Sequence, residues 1–300
     1  MNQTATSRAL APRRSIDPKV PSPRSRAPRE RRQDLQIRLA SLQKDYAELH
    51  TAIFEAAQVH RRLCAPRLLR CEEFEIASEI FAVRHLPGDF FTVEETEGGV
   101  ILALGDICGK GLAAGMWTTH VAGLVRVHSN RTSAPEKIVA NVNADLSRMS
   151  ALRPFASLFL ANLDSSTGRL NYCSAGHPPA LILRENGKLE SLSEGGLLLG
   201  VLDDAAYVRG TVELDTGDML VIYSDGILES RNLAGEEFGY ERLEKKLRES
   251  HADSADSVLF SVLGAVQDFA GTRPLVDDMS LAVLRRASSQ ATAVSVASAA

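Results

Sequence analysis

Leu35, Leu39, Leu42, Tyr46, Leu49, Ile53, Ala56, His60 and Leu63 recur with alternating gaps of four and three residues. That spacing is a heptad a/d seam sustained for about four heptads and ending near Pro66, and it predicts a long helix with one narrow apolar edge. So narrow and regular an edge favours a two-stranded coiled coil over a single amphipathic helix lying on its own domain. Ala56 and His60 weaken its C-terminal end.

Beyond Phe74 the period shortens to two. Strands are expected over Glu73 to Val83 and in a hairpin from Val93 to Leu104 around Glu97-Gly98-Gly99. Helical spacing returns at Leu112 to Val127 and Pro135 to Met149. Ala156 to Leu163, Arg169 to Ser174, Ala180 to Arg184, Lys188 to Leu192, Tyr207 to Leu214 and Met219 to Tyr223 read as strands. Helices follow at Gly239 to Glu249 and Ser254 to Phe269, and Met279 to Leu284 forms a last strand. Hairpin-linked strands with helices grouped in pairs indicate an α+β layered domain rather than βαβ alternation.

Composition sets the limits of that domain. The first 32 residues hold five prolines and nine Lys and Arg against two acids, with few large apolar side chains. Such a segment buries too little surface to offset its ordering entropy. The expected organisation is a disordered basic tail over 1–32, a coiled-coil helix over 33–66, a folded domain over 67–286 and a second disordered tail over 287–300. The remaining 268 residues carry 25 basic and 36 acidic side chains. That balance argues against nucleic acid as a partner and suits a protein that gathers cations. No apolar run approaches the roughly 18 residues needed to span a bilayer, so no membrane partner is expected. Cys64, Cys71, Cys108 and Cys173 show no zinc-ligand spacing. With no export signal, they fit a reducing, cytoplasmic setting.

The stretch Leu102-Ala-Leu-Gly-Asp-Ile-Cys-Gly-Lys-Gly-Leu-Ala-Ala-Gly115 looks at first like a phosphate loop. Only three residues separate Gly105 from Gly109-Lys110, and Gly111 stands where a P-loop needs Ser or Thr, so that reading fails. Attention passes to the aspartates. Asp89, Asp106 and Asp225 each lie at the end of an apolar strand beside glycine, and Asp277-Asp278 immediately precede one. A carboxylate at the end of a buried strand is costly unless it is paired or coordinates a cation. Any one of them is equally well a turn or cap residue. Several together, without nearby Cys or His, form the hard-oxygen donor set of Mg²⁺ or Mn²⁺.

Six motifs then occur in a fixed order: Gly88-Asp-Phe-Phe91, Gly105-Asp-Ile-Cys-Gly-Lys-Gly111, Ser174-Ala-Gly-His-Pro-Pro179, Tyr223-Ser-Asp-Gly-Ile-Leu-Glu229, Phe238-Gly-Tyr-Glu-Arg-Leu243 and Asp277-Asp-Met-Ser-Leu281. Over about residues 55 to 286 the chain resembles the bacterial SpoIIE/RsbU-type serine phosphatases of the metal-dependent protein phosphatase (PPM) superfamily. The resemblance implies an α-β-β-α sandwich of two antiparallel sheets flanked by helix pairs. It implies two Mn²⁺ or Mg²⁺ ions, with Asp106 bridging them and the Ile107 carbonyl assisting one. Asp89 would hold one ion, while Asp225 and the Asp277-Asp278 pair would serve the other, Asp277 being favoured as the direct ligand. The reaction implied is hydrolysis of phosphoserine or phosphothreonine by metal-activated water, without a phospho-enzyme. The substrate implied is a phosphorylated anti-sigma-factor antagonist or similar bacterial signalling protein.

Two positions depart from the family pattern: Pro87 stands where Gly is usual, and Thr92 where an acid is common. They keep open a second reading, a PPM-fold scaffold that binds a regulatory partner without catalysis. His177 reads as an ordered loop residue ahead of a general acid. Lys110 is equally a loop residue or a contact to substrate phosphate. The 35–63 helix is expected to form a parallel homodimer.

Overall fold

The computed structural model describes residues 28–64, 68–149 and 154–287. The expected tails, apart from residues 28–32 and 287, lie outside the described residues, as does Pro66. The chain divides into two compact units, 1–51 and 52–300, with the boundary inside the first helix.

That helix, α1 (Pro28–Cys64), runs for 37 residues. The seam positions Leu35, Leu39, Leu42, Tyr46 and Leu49 are between 55% and 68% exposed. Further along, His60 and Cys64 are buried, and Arg61 pairs with Glu79 at 2.9 Å. The free apolar edge is therefore shorter than the heptad pattern alone suggests.

Among the described residues, twelve strands and five further helices follow. In order they are β1 (Leu68–Cys71), β2 (Phe74–Phe81), β3 (Asp89–Thr96), β4 (Gly99–Ile107), α2 (Leu112–Ser129), α3 (Pro135–Ser147), β5 (Ala156–Asp164), β6 (Arg169–Ala175), β7 (Ala180–Leu183), β8 (Leu189–Leu192), β9 (Gly195–Gly196), β10 (Gly210–Glu213), β11 (Met219–Tyr223), α4 (Asp225–Glu229), α5 (Gly239–Glu249), α6 (Ala255–Ala270) and β12 (Met279–Arg286). The strands form two sheets, ordered β1-β2-β12-β11-β7-β8 and β10-β6-β5-β4-β3, with β9 added to β6. All pairings are antiparallel except β6 with β9.

Strand alternation sends successive side chains into different layers. On β3, Phe91 joins a core between the sheets with Phe74, Leu102, Phe159 and Ile222. Its neighbour Phe90 joins a core under α2 and α3 with Val121, Val125, Ile138 and Val142. A third core places Leu181, Val221 and Leu281 against Val258, Val262 and Val266 of α6. Each large side chain so buried contributes about 1.5–3 kcal/mol. The helices carry the matching spacing: α3 starts with Pro135 at its first turn, where no amide is lost. Ser254 caps α6 by accepting from the Ser257 amide at 3.3 Å. Three apolar layers between four layers of structure make the expected α-β-β-α sandwich.

Candidate active site

The acids collect at one open end of the layer between the sheets. On β3, Asp89 shares its face with Phe91; on β4, Asp106 shares its face with Leu104, and the two aspartates are directly opposed in register. From the other sheet, Ser280 of β12 donates its hydroxyl hydrogen to Asp89 Oδ2. Asp225 opens α4 immediately after β11, and Asp277 and Asp278 immediately precede β12. Five carboxylates separated by up to 189 residues of sequence thus meet where the two sheets end.

Their electrostatics follow from this crowding. Asp89 is 2% exposed. Burial first, and the Asp106 charge second, push its carboxyl well above the usual carboxylate range. Burial, then Asp225, raises Asp106 to about 7, while a hydrogen bond from Asp89 works in the opposite direction. The crowding therefore favours a proton shared by the pair. Asp225 is also raised, by burial and then by Asp277, with the Gly226 amide and Lys110 opposing.

The Asp277-Asp278 pair divides its work. Asp278 accepts from the Val83 amide through Oδ1 and from the Gly88 amide through Oδ2, each at 2.7 Å. It straps the loop between β2 and β3 in place. Asp277 Oδ2 instead accepts from Lys110 Nζ at 2.7 Å. Among the described residues, no three Asp, Glu, His or Cys side chains already surround a common point. Ser280, Lys110 and two backbone amides engage carboxylate oxygens here.

Two glycines leave space at the acids. A Cβ on Gly88 would meet Asp106 Oδ1 and the Ile107 carbonyl oxygen, each at 3.2 Å. The carboxylate and that carbonyl therefore face one small gap, which the missing side chain leaves clear. A Cβ on Gly226 would lie 2.0 Å from the Asp278 carbonyl oxygen, so only glycine lets α4 approach β12 this closely.

The remaining residues singled out from sequence fall into place around the acids. Thr118 of α2 donates to the Gly88 carbonyl at 2.9 Å and reaches the Pro87 carbonyl at 3.4 Å, so Pro87 sits in an anchored turn. Thr92 lies on the face of β3 opposite Asp89, and its buried hydroxyl has no hydrogen-bond partner. An outer-sphere role for that position is therefore not available from this rotation of the strand. His177 is buried, and its Nδ1 lies 2.8 Å from Ser157 Oγ, beside Asp106 in register on β5. Burial pushes His177 down to about 3. That disfavours the imidazolium form that a general acid would need. Cys108 is exposed, and its amide bonds the Phe155 carbonyl at 2.8 Å. Sequence reasoning missed Ser280 and Ser224, whose hydroxyls act on Asp89, and the lysine clasp. A hydroxyl at the second position after Asp278, on the inward face of β12, was the available signal for Ser280.

Two face-to-face antiparallel sheets, each backed by helices, with carboxylates gathered at one end of the interlayer, define the fold of the metal-dependent protein phosphatases. The sequence model of stage II sporulation protein E (SpoIIE) matches residues 96–287. The chain belongs to this SpoIIE family, a branch of the PPM protein serine/threonine phosphatases. It is 27% identical over 246 residues to the phosphoserine phosphatase RsbU of Bacillus subtilis strain 168, covering 80% of this chain and 71% of that protein. Among solved structures it resembles the SiaA PP2C domain of Pseudomonas aeruginosa, with a TM-score of 0.70 at 18% identity over 80% of this chain and 98% of that one. It also resembles the catalytic domain of the serine/threonine phosphatase PstP, solved with two manganese ions, at a TM-score of 0.53 and 15% identity over 72% of this chain and 99% of that one. No helix among the described residues is long and apolar enough to cross a membrane.

Proposed function

We propose that this chain hydrolyses phosphoserine or phosphothreonine in a protein, using two divalent cations held by Asp89, Asp106, Asp225, Asp277 and the Ile107 carbonyl. The observation that carries this reading is the opposed pair of a buried Asp89 and a half-buried Asp106 at the mouth of the interlayer, with Asp225 raising Asp106 further. Crowded acids that repel one another suit a cation of hard-oxygen preference, and Gly88 leaves room beside Asp106 and Ile107 O. When bound, the cations lower the pKa of water and offset charge on a phosphoryl group.

The chain's own residues do the rest. The Asp89–Asp106 pair would have to give up its shared proton to hold a cation, so metal affinity is expected to rise with pH. Ser280 fixes the orientation of Asp89, as an outer partner does for many metal-bound carboxylates. Asp277 is favoured over Asp278 as the direct ligand because its Oδ2 is held by a mobile side chain, whereas both Asp278 oxygens are committed to backbone amides. A hollow of about 230 Å³ between α4 and the 274–277 segment, lined by Gly226, Ser230, Arg231 and Asp277, adjoins the acids and offers space for the chain around a phosphorylated residue.

The similarity to RsbU supports a phosphorylated anti-sigma-factor antagonist or related bacterial signalling protein as substrate. The exposed Leu35–Leu49 edge of α1 supports a parallel homodimer through this helix. Leu42→Asp then gives a monomer by sedimentation at tens of micromolar, whereas the unaltered chain sediments as a dimer. The deciding experiment for activity is release of phosphate from a phosphoserine protein with and without Mn²⁺. Turnover requires the metal and is lost in Asp106→Asn; equal turnover in EDTA, or none by folded protein, would sink the reading in favour of a non-catalytic scaffold.

A further inference from the structure

Lys110 does more in this structure than close a glycine loop. Its Nζ donates to Asp277 Oδ2 and to the Val276 carbonyl, each at 2.7 Å, across 167 and 166 residues of sequence. The remaining Asp277 oxygen, Oδ1, accepts from the Asp278 amide at 3.1 Å. The ammonium charge also acts on Asp225, the neighbouring acid. A positive charge of the chain itself thus lies on the side of the cleft assigned above to the second cation.

We propose that Lys110 is a built-in counter-ion for the Asp225–Asp277 side of the cleft, and that a divalent cation binds there only by displacing it. This inference rests on the metal-site reading above. Three features make displacement physically easy. Lysine is a compact charge on a flexible four-carbon stem, and its donors re-aim without moving the backbone. Flanking Gly109 and Gly111 have φ values of 122° and 83°, conformations that cost glycine nothing. The side chains of Lys110 and Asp277 are 40% and 45% exposed, so water takes up the ammonium when it leaves. Asp278 differs, since freeing its oxygens means breaking two amide hydrogen bonds and moving the β2–β3 loop.

The clasp has two consequences. It lowers the repulsion among the acids while no cation is bound, and it weakens the cation that replaces it by the worth of a half-exposed ion pair. That worth is at most about fivefold in affinity. Cation binding on the Asp225–Asp277 side also frees the 109–111 loop, which leads into α2.

Calorimetric titration of Mn²⁺ into the full chain, its Lys110→Met and Lys110→Arg variants, and Asp277→Asn and Asp106→Asn controls tests this, alongside thermal melts with and without saturating Mn²⁺. Lys110→Met is expected to tighten the Mn²⁺ binding that Asp277→Asn removes by up to about fivefold, with Lys110→Arg close to the unaltered chain. It should melt below the unaltered chain without metal and level with it when saturated. Unchanged or weaker Mn²⁺ binding by Lys110→Met, with an equal loss of Tm in both conditions, would make Lys110 a plain structural strap and overturn the proposal. Absence of any Mn²⁺ binding that depends on Asp106 in the unaltered chain would overturn the metal site itself, and the counter-ion role with it.

Discussion

Asp89 and Asp106 face each other on two paired strands, whereas Asp225 opens α4 and Asp277 and Asp278 lie in the segment before β12, at the end of the opposite sheet. The first wall is rigid. Its backbone is fixed by a ladder running from Asp89↔Asp106 to Thr96↔Gly99, and its charges are relieved by protonation. The second wall is adaptable. Its acids answer to a lysine, a helix of five residues and a loop, and its charges are relieved by a cation already in the chain. The same problem, several carboxylates in a confined space, is solved by a proton on one side and by an ammonium on the other.

The largest expected effect comes from the rigid wall. Asp106→Asn should lower turnover by about a thousandfold or more, since it removes a carboxylate assigned to both cations. The same change should raise the Tm of the metal-free protein, because a repelling acid is gone. Asp277→Asn should cost less metal-free stability change and a smaller share of turnover; equal behaviour of the two variants would erase the distinction between the walls.

Next in size is the pH dependence. Asp106 is raised in the folded chain to about 7 from an ordinary value of 3.8. The folded state therefore holds its proton more strongly than the unfolded chain. The stability this brings is fully present below about pH 3.8 and is lost as pH rises through 7. The metal-free protein should melt progressively lower between pH 5 and 8, and Mn²⁺ should restore more at pH 8 than at pH 5. Calorimetry across that range checks both, and a pH-independent gain from Mn²⁺ would count against proton–metal exchange at the pair.

Smaller again is the effect of closing the gap beside Asp106. Gly88→Ala places a methyl 3.2 Å from Asp106 Oδ1 and the Ile107 carbonyl oxygen. Mn²⁺ affinity should fall about 10- to 100-fold, the range for disturbing the surroundings of a metal ligand, while circular dichroism stays unchanged. Ser280→Ala removes the hydroxyl on Asp89 and should weaken binding by about tenfold, more at pH 6 than at pH 8. Smallest in catalysis is His177→Asn, which disturbs a buried contact to Ser157 but leaves the shape of the pH–rate profile unmoved. A shift in its limbs would return His177 to the chemistry.

Much of this architecture was legible from period alone. The hairpin around Glu97-Gly98, the helices α2, α3, α5 and α6, and the final strand fall within a few residues of where alternation and 3.6-residue spacing put them. The short pieces were not. Leu68–Cys71 has four residues and no alternation to distinguish it, and it exists as a strand because β2 offers it an edge. Asp225 reads as the end of β11, yet the chain turns there into the five-residue helix α4, a shape allowed by the absence of a side chain on Gly226 beside the Asp278 carbonyl.

The list of acids, the glycines beside them and the layered fold were written in local order, because strand alternation and turn chemistry act over a few residues. The division of labour among those acids was not. Whether Asp278 holds a loop, whether Asp277 meets Lys110 and what His177 bonds all depend on partners 20 to 195 residues away. Burial and charge are properties of the assembled interlayer, and they exist only once both sheets have closed over it.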